Sequence, residues 1–357
     1  MTLTINTNVA SIIAQRNLSS ATNSLNTSLE RLSTGYKINH AADNAAGLSI
    51  SDQWVTKIGS LDVASDNAAT GSDLLATAEE SYNLLSSHLQ RIRDLTEQAA
   101  NGTYASASLR AIQAEIYGRL QEIDRIAANA EFNGIKLMLF NDSDSTKNKG
   151  IGMKDAGLNL QVGLYNDNDS VINLSIDLFK SAKISGLFSG GSVTIYGRDK
   201  KGDTTTTTKS LDEVLQAAGG SVAALNTQDG LRAFSAACSA LKYTPATGTD
   251  AGEGKYTLLA DETNNYGASA MIGFIDNAIA EISRRATRIG ATQSRITSAI
   301  DAIDIQSQNL TSSLSTLRDT DVASESSKYV QSQILQQASA TLLATANQTP
   351  SIALNLI

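Results

Sequence analysis

The sequence is poor in the residues from which catalytic and redox sites are usually built. Cys238 is the only cysteine in 357 residues, so neither an intrachain disulfide nor a CxxC metal pair can form, which on its own points to a reducing compartment. The two histidines, His40 and His88, are far apart, belong to no HExxH motif and read as surface residues. Proline occurs only at Pro245 and Pro350, so most of the chain lacks the residue that breaks helices. Aromatic residues make up 5% of the chain against 41% hydrophobic, a balance that suits slender helices packed with Ile, Leu and Ala. No run approaches the roughly 20 apolar residues needed to span a bilayer. With 28 basic and 36 acidic residues the net charge is -8, which leaves no basic stripe for a phosphate backbone, and pairs such as Arg284-Arg285 read as solvated helix face. Met1 to Ala10 lacks the basic residue and apolar run of a Sec-type signal, so export would need a dedicated route. Gly190-Gly191 and Gly219-Gly220 have neither GK[ST] nor Rossmann spacing after them, and read as turns. Acidic neighbours such as Glu79-Glu80 or Glu122 and Asp124 read as solvated face. Neither an enzyme nor a cofactor is expected.

What the chain does have is periodicity. Ile275, Ile279, Ile282, Ala286, Ile289, Ile296, Ile300, Ile303, Leu310, Leu314 and Leu317 recur in steps of four and three, interrupted only at Gln293 and Ser307. A repeat averaging three and a half residues keeps one helix seam facing its partners, so this segment specifies a rod. A second seam, Leu75, Ala78, Tyr82, Leu85, Leu89, Ile92, Thr96 and Ala99, lies toward the other end of the chain and can pair with it.

In chain order, Val9, Ile12, Ile13, Leu25, Leu29 and Leu32 mark an amphipathic helix with Thr7 or Asn8 as its N-cap and a stop near Gly35. Its Ser, Thr and Asn content makes it marginal without a partner, so it is expected to order on assembly. A connector at Ala41–Leu48 and a short segment around Trp54 precede a helix from about Ile58 to Ala99, ended by Asn101-Gly102. A helix over about Ser106–Ala130 returns antiparallel to it. Asn133-Gly134 reads as a helix stop followed by a strand rather than a hairpin turn, with strand candidates at Ile135–Phe140, Leu158–Val162 and Val171–Ile176 and a polar loop at Asn141–Gly157. From about Gly190 to Asn265 helical periodicity survives only near Leu211–Ala218 and Leu231–Leu241. Thr204–Thr208 reads as a solvated loop, with O-linked sugars as the alternative. Val330, Ile334, Leu335, Leu342 and Leu343 mark a last helix able to pair with the first.

Ile5-Asn6-Thr7-Asn8-Val9-Ala10, the stretch from Ser28-Leu29-Glu30-Arg31-Leu32-Ser33-Thr34-Gly35 to Asn39, and Ala41-Ala42-Asp43-Asn44-Ala45-Ala46-Gly47-Leu48-Ser49-Ile50 resemble bacterial flagellin. Ser332-Gln333-Ile334-Leu335-Gln336-Gln337-Ala338 and Leu343-Ala344-Thr345-Ala346-Asn347-Gln348 resemble the last helix of that family. The resemblance covers about residues 1–189 and 266–357. Leu89-Gln90-Arg91-Ile92-Arg93-Asp94-Leu95 with Gln113-Ala114-Glu115-Ile116 is typical of true flagellins rather than of their hook-filament junction relatives.

The resemblance implies a secreted, extracellular subunit that polymerises with copies of itself into a hollow helical filament. It also implies export in an unfolded state by the flagellar type III apparatus, a chaperone on the carboxyl-terminal helix, and contacts with flagellar cap and hook-junction proteins. Independently, two amphipathic terminal helices would fold on docking, and a head-to-tail contact that does not close gives an open polymer. Leu95 falls off the Leu89/Ile92 register, four residues after Arg91, and is expected to form an exposed contact patch with it. By resemblance, Arg91, Leu95 and Glu115, beside Gln90, match flagellin residues bound by the animal Toll-like receptor that senses flagellin; Thr96 and the acidic Glu97 depart from the small or apolar residues usual there, which should weaken binding. The insert has no histidine, which excludes the metallopeptidase some family members carry there.

The expected fold is mainly α: a long antiparallel helical coiled-coil bundle formed by both chain ends, with a β-hairpin element and a small inserted α+β domain. The expected parts are 1–42 and 319–357 for the filament core, 43–189 and 266–318 for the rod, and 190–265 for a variable outer insert. The alternatives are a hook-filament junction protein or a surface-displayed adhesive or binding module.

Overall fold

The computed structural model describes residues 8–101, 103–139, 157–165, 167–188, 192–199, 203–244, 255–258 and 266–354. The chain divides into two compact units, one of residues 1–63 with 303–357 and one of residues 64–302.

In the first unit, helix α1 (Val9–Thr34) begins at Asn8, whose side chain accepts the Ser11 N–H, and stops at Gly35, where a left-handed φ of 78° lets the backbone N–H cap Arg31. Helix α8 (Val322–Leu354) runs antiparallel to it. Ser28 donates to Glu325 (2.7 Å), Gln336 to Thr22 (3.2 Å), and the Asn8 amide to the Ala346 carbonyl (2.7 Å). The buried positions of the pair are Ala14, Ala21 and Ser28 facing Glu325, Ser332 and Ser339, each set spaced by seven residues. The terminal helices therefore pair as expected, but through a seam of small and polar residues. The connectors are stitched together beside them. Lys37 N–H donates to the Arg318 carbonyl and Thr320 N–H to that of Gly35, both at 2.8 Å, and the Arg318 guanidinium lies 4.4 Å from the centre of the Tyr36 ring.

Helix α2 (Ala45–Ala100) starts about thirteen residues earlier than its periodicity suggests. The Asn44 side chain accepts the Gly47 N–H at 2.9 Å, so the Ala- and Gly-rich stretch read as a connector forms the first turns instead. Its part from Ala64 onward belongs to the second unit, with α3 (Ser106–Asn129) and most of α7 (Tyr266–Arg318). All eight residues of the expected α2 seam are buried. Ile275, Ile282, Ile289 and Ile296 of α7 are buried with them. Each such Leu or Ile contributes about 1.5–3 kcal/mol by leaving water. Arg93 pairs with Asp276 (2.6 Å), and Arg285 lies beside the Tyr82 hydroxyl, so α2 and α7 run antiparallel in this unit. Arg91 with Glu115 and His88 with Arg119 set α3 antiparallel to α2.

Asn133-Gly134 is a hairpin turn after all. It joins β1 (Glu131–Phe132) to β2 (Ile135–Lys136), with φ of 47° and 78° at the turn residues. Asn-Gly tolerates positive φ at both positions, and the helix ends at Asn129, soon enough to leave a two-residue strand before the turn. Strands β3 (Leu158–Gln161) and β4 (Val171–Leu174) form an antiparallel pair where two strands were expected. The loop expected at Asn141–Gly157 lies outside the described residues except Gly157. The buried Tyr82 hydroxyl donates to the Leu178 carbonyl (2.7 Å). Arg285, 5% exposed, donates to the Lys180 carbonyl (2.9 Å) and pairs with Glu281, which corrects its reading as solvated helix face. Asp124 is half-buried rather than plain solvated face: its carboxylate accepts the Ile184 N–H (2.9 Å) at the start of α4 (Ile184–Leu187).

In the inserted segment, β5 (Ser192–Asp199) pairs antiparallel with β6 (Asp203–Ser210). The Thr204–Thr208 run is therefore strand rather than loop, in keeping with the β preference of Thr. Helix α5 (Leu211–Ala217) follows, opened by a capping box between Ser210 and Glu213, and then α6 (Gln228–Cys238). Strands β7 (Leu241–Thr244) and β8 (Lys255–Leu258) form a last antiparallel pair. The inner face of α6 packs on α3, where Gln113 donates to Ser235 (2.8 Å) and Arg232 sits over the Tyr117 ring, and Phe234 meets Phe188 at the end of α4 edge-on.

Candidate assembly surface and contact patch

The side chains that make α1 and α8 amphipathic are mostly not those that pair them. Val9, Ile12, Ile13 and Leu29 of α1 are exposed, as are Val322, Val330, Ile334, Leu335 and Leu342 of α8, with Ile334 at 61% and Leu342 at 62%. Leu18, Leu25 and Leu32 are half-buried, as is Leu343. Helical geometry explains the arrangement: a seam that repeats Ala and Ser every seven residues brings the two backbones close, and turns the larger residues one or two positions away onto the outer face. Two helices are thus left with a row of large apolar side chains in water, the kind of surface that marks an interaction site when it is contiguous.

A carboxylate sits inside that polar seam. Glu325, 4% exposed, accepts from Ser28 and from Lys328 (3.1 Å). Burial pushes its pKa upward, but those hydrogen bonds, with the charges of Lys328 and Arg31, hold it below the ordinary carboxylate value. Nothing in the sequence singled out Glu325; its place opposite Ser28 in an antiparallel heptad register is visible only once the pairing is known.

The four residues of the expected patch lie in the second unit, in two groups. Glu115 accepts from Arg91 Nε (3.1 Å) and from Arg119 Nε and Nη2 (3.2 and 3.1 Å). Burial acts to raise its pKa, and the two guanidiniums more than offset this. His88 beside them has a lowered pKa, from partial burial and then from Arg119. Gln90 and Arg91 are exposed, but Leu95 is only 2% exposed. Its expected exposure beside Arg91 is corrected. A two-helix seam would leave this position outside, yet α2 here carries Leu95 and Thr96 side by side in the core, and Thr96 contacts the Cys238 thiol of α6. Partners on more than one side widen the buried stripe beyond a heptad seam. Burial raises the pKa of that thiol to about 12, so Cys238 packs as a small apolar group.

Among the described residues no group of three or more His, Cys, Asp or Glu is arranged to hold a metal ion, and no helix is long and apolar enough to cross a membrane. What these elements offer is surface.

Two family profiles match the chain: the bacterial flagellin N-terminal helical region over residues 5–143 and the bacterial flagellin C-terminal helical region over residues 272–357. The chain is 34% identical to polar flagellin F of Vibrio parahaemolyticus and 35% identical to flagellin A of Vibrio anguillarum, each alignment covering all of both proteins. A solved structure of FliC from Burkholderia pseudomallei aligns with 69% of this chain and 98% of its own, at 20% identity and a TM-score of 0.28.

Proposed function

The chain belongs to the bacterial flagellin family and is a structural subunit of the flagellar filament, and from that premise we propose that the outward apolar faces of α1 and α8 are the surfaces that drive its polymerisation. The carrying observation is the inversion of the terminal pair, with Ser, Ala and Glu inside and Val, Ile and Leu outside. Burying those faces among neighbouring copies offsets the cost of ordering two helices whose mutual seam is weak. On this reading the chain serves as a structural protein, as its family does.

The finer partners belong to the same reading. The exposed stripe of α8 suits a chaperone that shields it before export through the flagellar type III route to the cell exterior, and cap and hook-junction proteins meet the filament at its ends. Segments 1–42 and 319–357 form the filament core, 43–189 and 266–318 the rod, and 190–265 the outer insert. Gln90, Arg91 and Glu115, with Leu95 beneath them, form the patch for the flagellin-sensing Toll-like receptor. Loss of receptor affinity in Arg91→Ala supports that patch; unchanged affinity removes it.

The polymerisation reading is tested by seeding the full chain, and a version lacking residues 1–40 and 320–357, under mild salt and examining both by electron microscopy. Filaments from the full chain alone are expected. Filaments from the truncated chain would show that the terminal faces are not what assembles it.

A further inference from the structure

Most charges on the helices of the second unit are answered nearby: Arg91 and Arg119 by Glu115, Arg93 by Asp276 and Glu97, Arg125 by Glu122, Arg284 and Arg285 by Glu281. One face of α2 is different. Asp66, Asp73 and Glu80 recur every seven residues, and all three are exposed. Among the described residues none of their carboxylates makes an ion pair or a side-chain hydrogen bond. Ala69, Thr70, Ala76, Asn83, Leu84 and Ser87 between and beyond them are exposed too, with Thr77 half-buried, so this face of the helix is largely uncovered there.

A counterpart of opposite sign lies on α7. Arg288 and Arg295 are also seven residues apart and exposed; Arg288 has only a 3.5 Å ion pair to Asp177, and Arg295 has none among the described residues. Thr287, Ala291, Ser294 and Ser298 around them are small, so an opposing helix can come close. Seven residues of helix span about 10 Å, the same interval on both ridges. The two ridges also sit at matching heights. Arg93 is level with Asp276 and Tyr82 with Arg285, which places Glu80 level with Arg288 and Asp73 with Arg295. One copy cannot join its own ridges, because both are exposed. A neighbour pointing the same way, as copies in a head-to-tail polymer do, presents its α7 antiparallel to this α2.

We propose that in the filament the acidic ridge of α2, Asp73 and Glu80 with Asp66 below, seats against the Arg288–Arg295 ridge of α7 in an adjacent copy. This rests on the polymer reading and adds to it the surface that fixes how neighbouring rods register. The terminal helices supply apolar attraction, which has little directional preference; the spaced charges discriminate between registers, because a slip of half a heptad removes the pairing. They also answer the mutual repulsion of copies that each carry a net charge of -8.

The test is charge exchange in the full chain, read as the critical concentration for seeded growth. Asp73→Lys with Glu80→Lys, and separately Arg288→Glu with Arg295→Glu, should each raise it roughly tenfold, the scale of two reversed exposed pairs. The fourfold variant, and an equimolar mixture of the two double variants, restore opposite signs across the contact and should return to within about threefold of the parent. Double variants that grow like the parent overturn the proposal, as does a fourfold variant no better than either double. Should a reversed chain lose its helical signal, Asp73→Asn with Glu80→Gln and Arg288→Gln with Arg295→Gln should each raise the critical concentration about threefold and their combination no further, and neutral double variants that grow like the parent overturn the proposal. Failure of the parent itself to form filaments would strike the polymer reading, and is thereby distinct.

Discussion

The two compact units use the same heptad spacing to opposite ends. In residues 64–302 the seam positions are mostly Leu, Ile, Ala and Tyr, and most are buried within one copy: Leu75, Tyr82, Leu85, Leu89 and Ile92 on α2, Ile275, Ile282, Ile289 and Ile296 on α7. In the unit of residues 1–63 and 303–357 the buried positions of α1 and α8 are Ala, Ser and Glu, while Ile12, Ile334 and Leu342 face out. Even within α7 the same seam changes character. Ile289 and Ile296 are buried, whereas Leu310, Leu314 and Leu317 are only half-buried. A heptad repeat thus says that a face needs covering, without saying whether the chain itself or another copy covers it.

The difference can be broken most directly on the outer face. Ile334→Ser with Leu342→Ser removes about 1.5–3 kcal/mol of burial per residue from the assembled state, so the critical concentration should rise more than about a hundredfold. Monomer stability should move by no more than about 0.5 kcal/mol, since both sites are already wet. Sedimentation of filaments beside thermal melting of the monomer checks both halves. The converse change, Leu89→Ala in the second unit, should cost about 2–5 kcal/mol of monomer stability, because it empties a site with no exposure. It is read by denaturant unfolding.

Part of this contrast was legible in the sequence. Both rod seams, the Asn8 and Gly35 caps and the antiparallel return of α3 follow from local pattern, since periodicity and capping act within a few turns. Four features depend on partners that pattern does not name. Leu95 is in the core because α2 has neighbours on more than one side; Arg285 is buried because the Lys180 and Ser181 carbonyls receive it; Asn133-Gly134 closes a hairpin because the helix stops at Asn129; and the inner seam of α1 and α8 is made of residues too small to register as apolar. The exposed stripe was visible as amphipathicity, but its direction was not.

Smaller effects sharpen the comparison. The folded-state pKa of Glu325 is depressed, so its contribution is present above the ordinary glutamate pKa and is lost as pH falls through the folded value. The α1–α8 pair should therefore loosen in acid below the usual carboxylate range, and Glu325→Gln should flatten that dependence, by circular dichroism against pH, while the midpoint of the second unit stays put. The smallest effect is expected at Arg91→Ala. Loss of its half-exposed ion pair with Glu115 should cost under about 1 kcal/mol in monomer stability, since Arg119 still serves that carboxylate.

Amide hydrogen exchange in monomer and filament tests the central claim most directly. If the second unit holds itself together and the terminal pair is held by its neighbours, residues 85–99 are protected in both states, while residues 12–32 and 325–346 exchange readily in the monomer and slow by orders of magnitude in the filament. Equal protection of the terminal helices in both states would contradict it, because their outward apolar faces would then have no part in stabilising the pair.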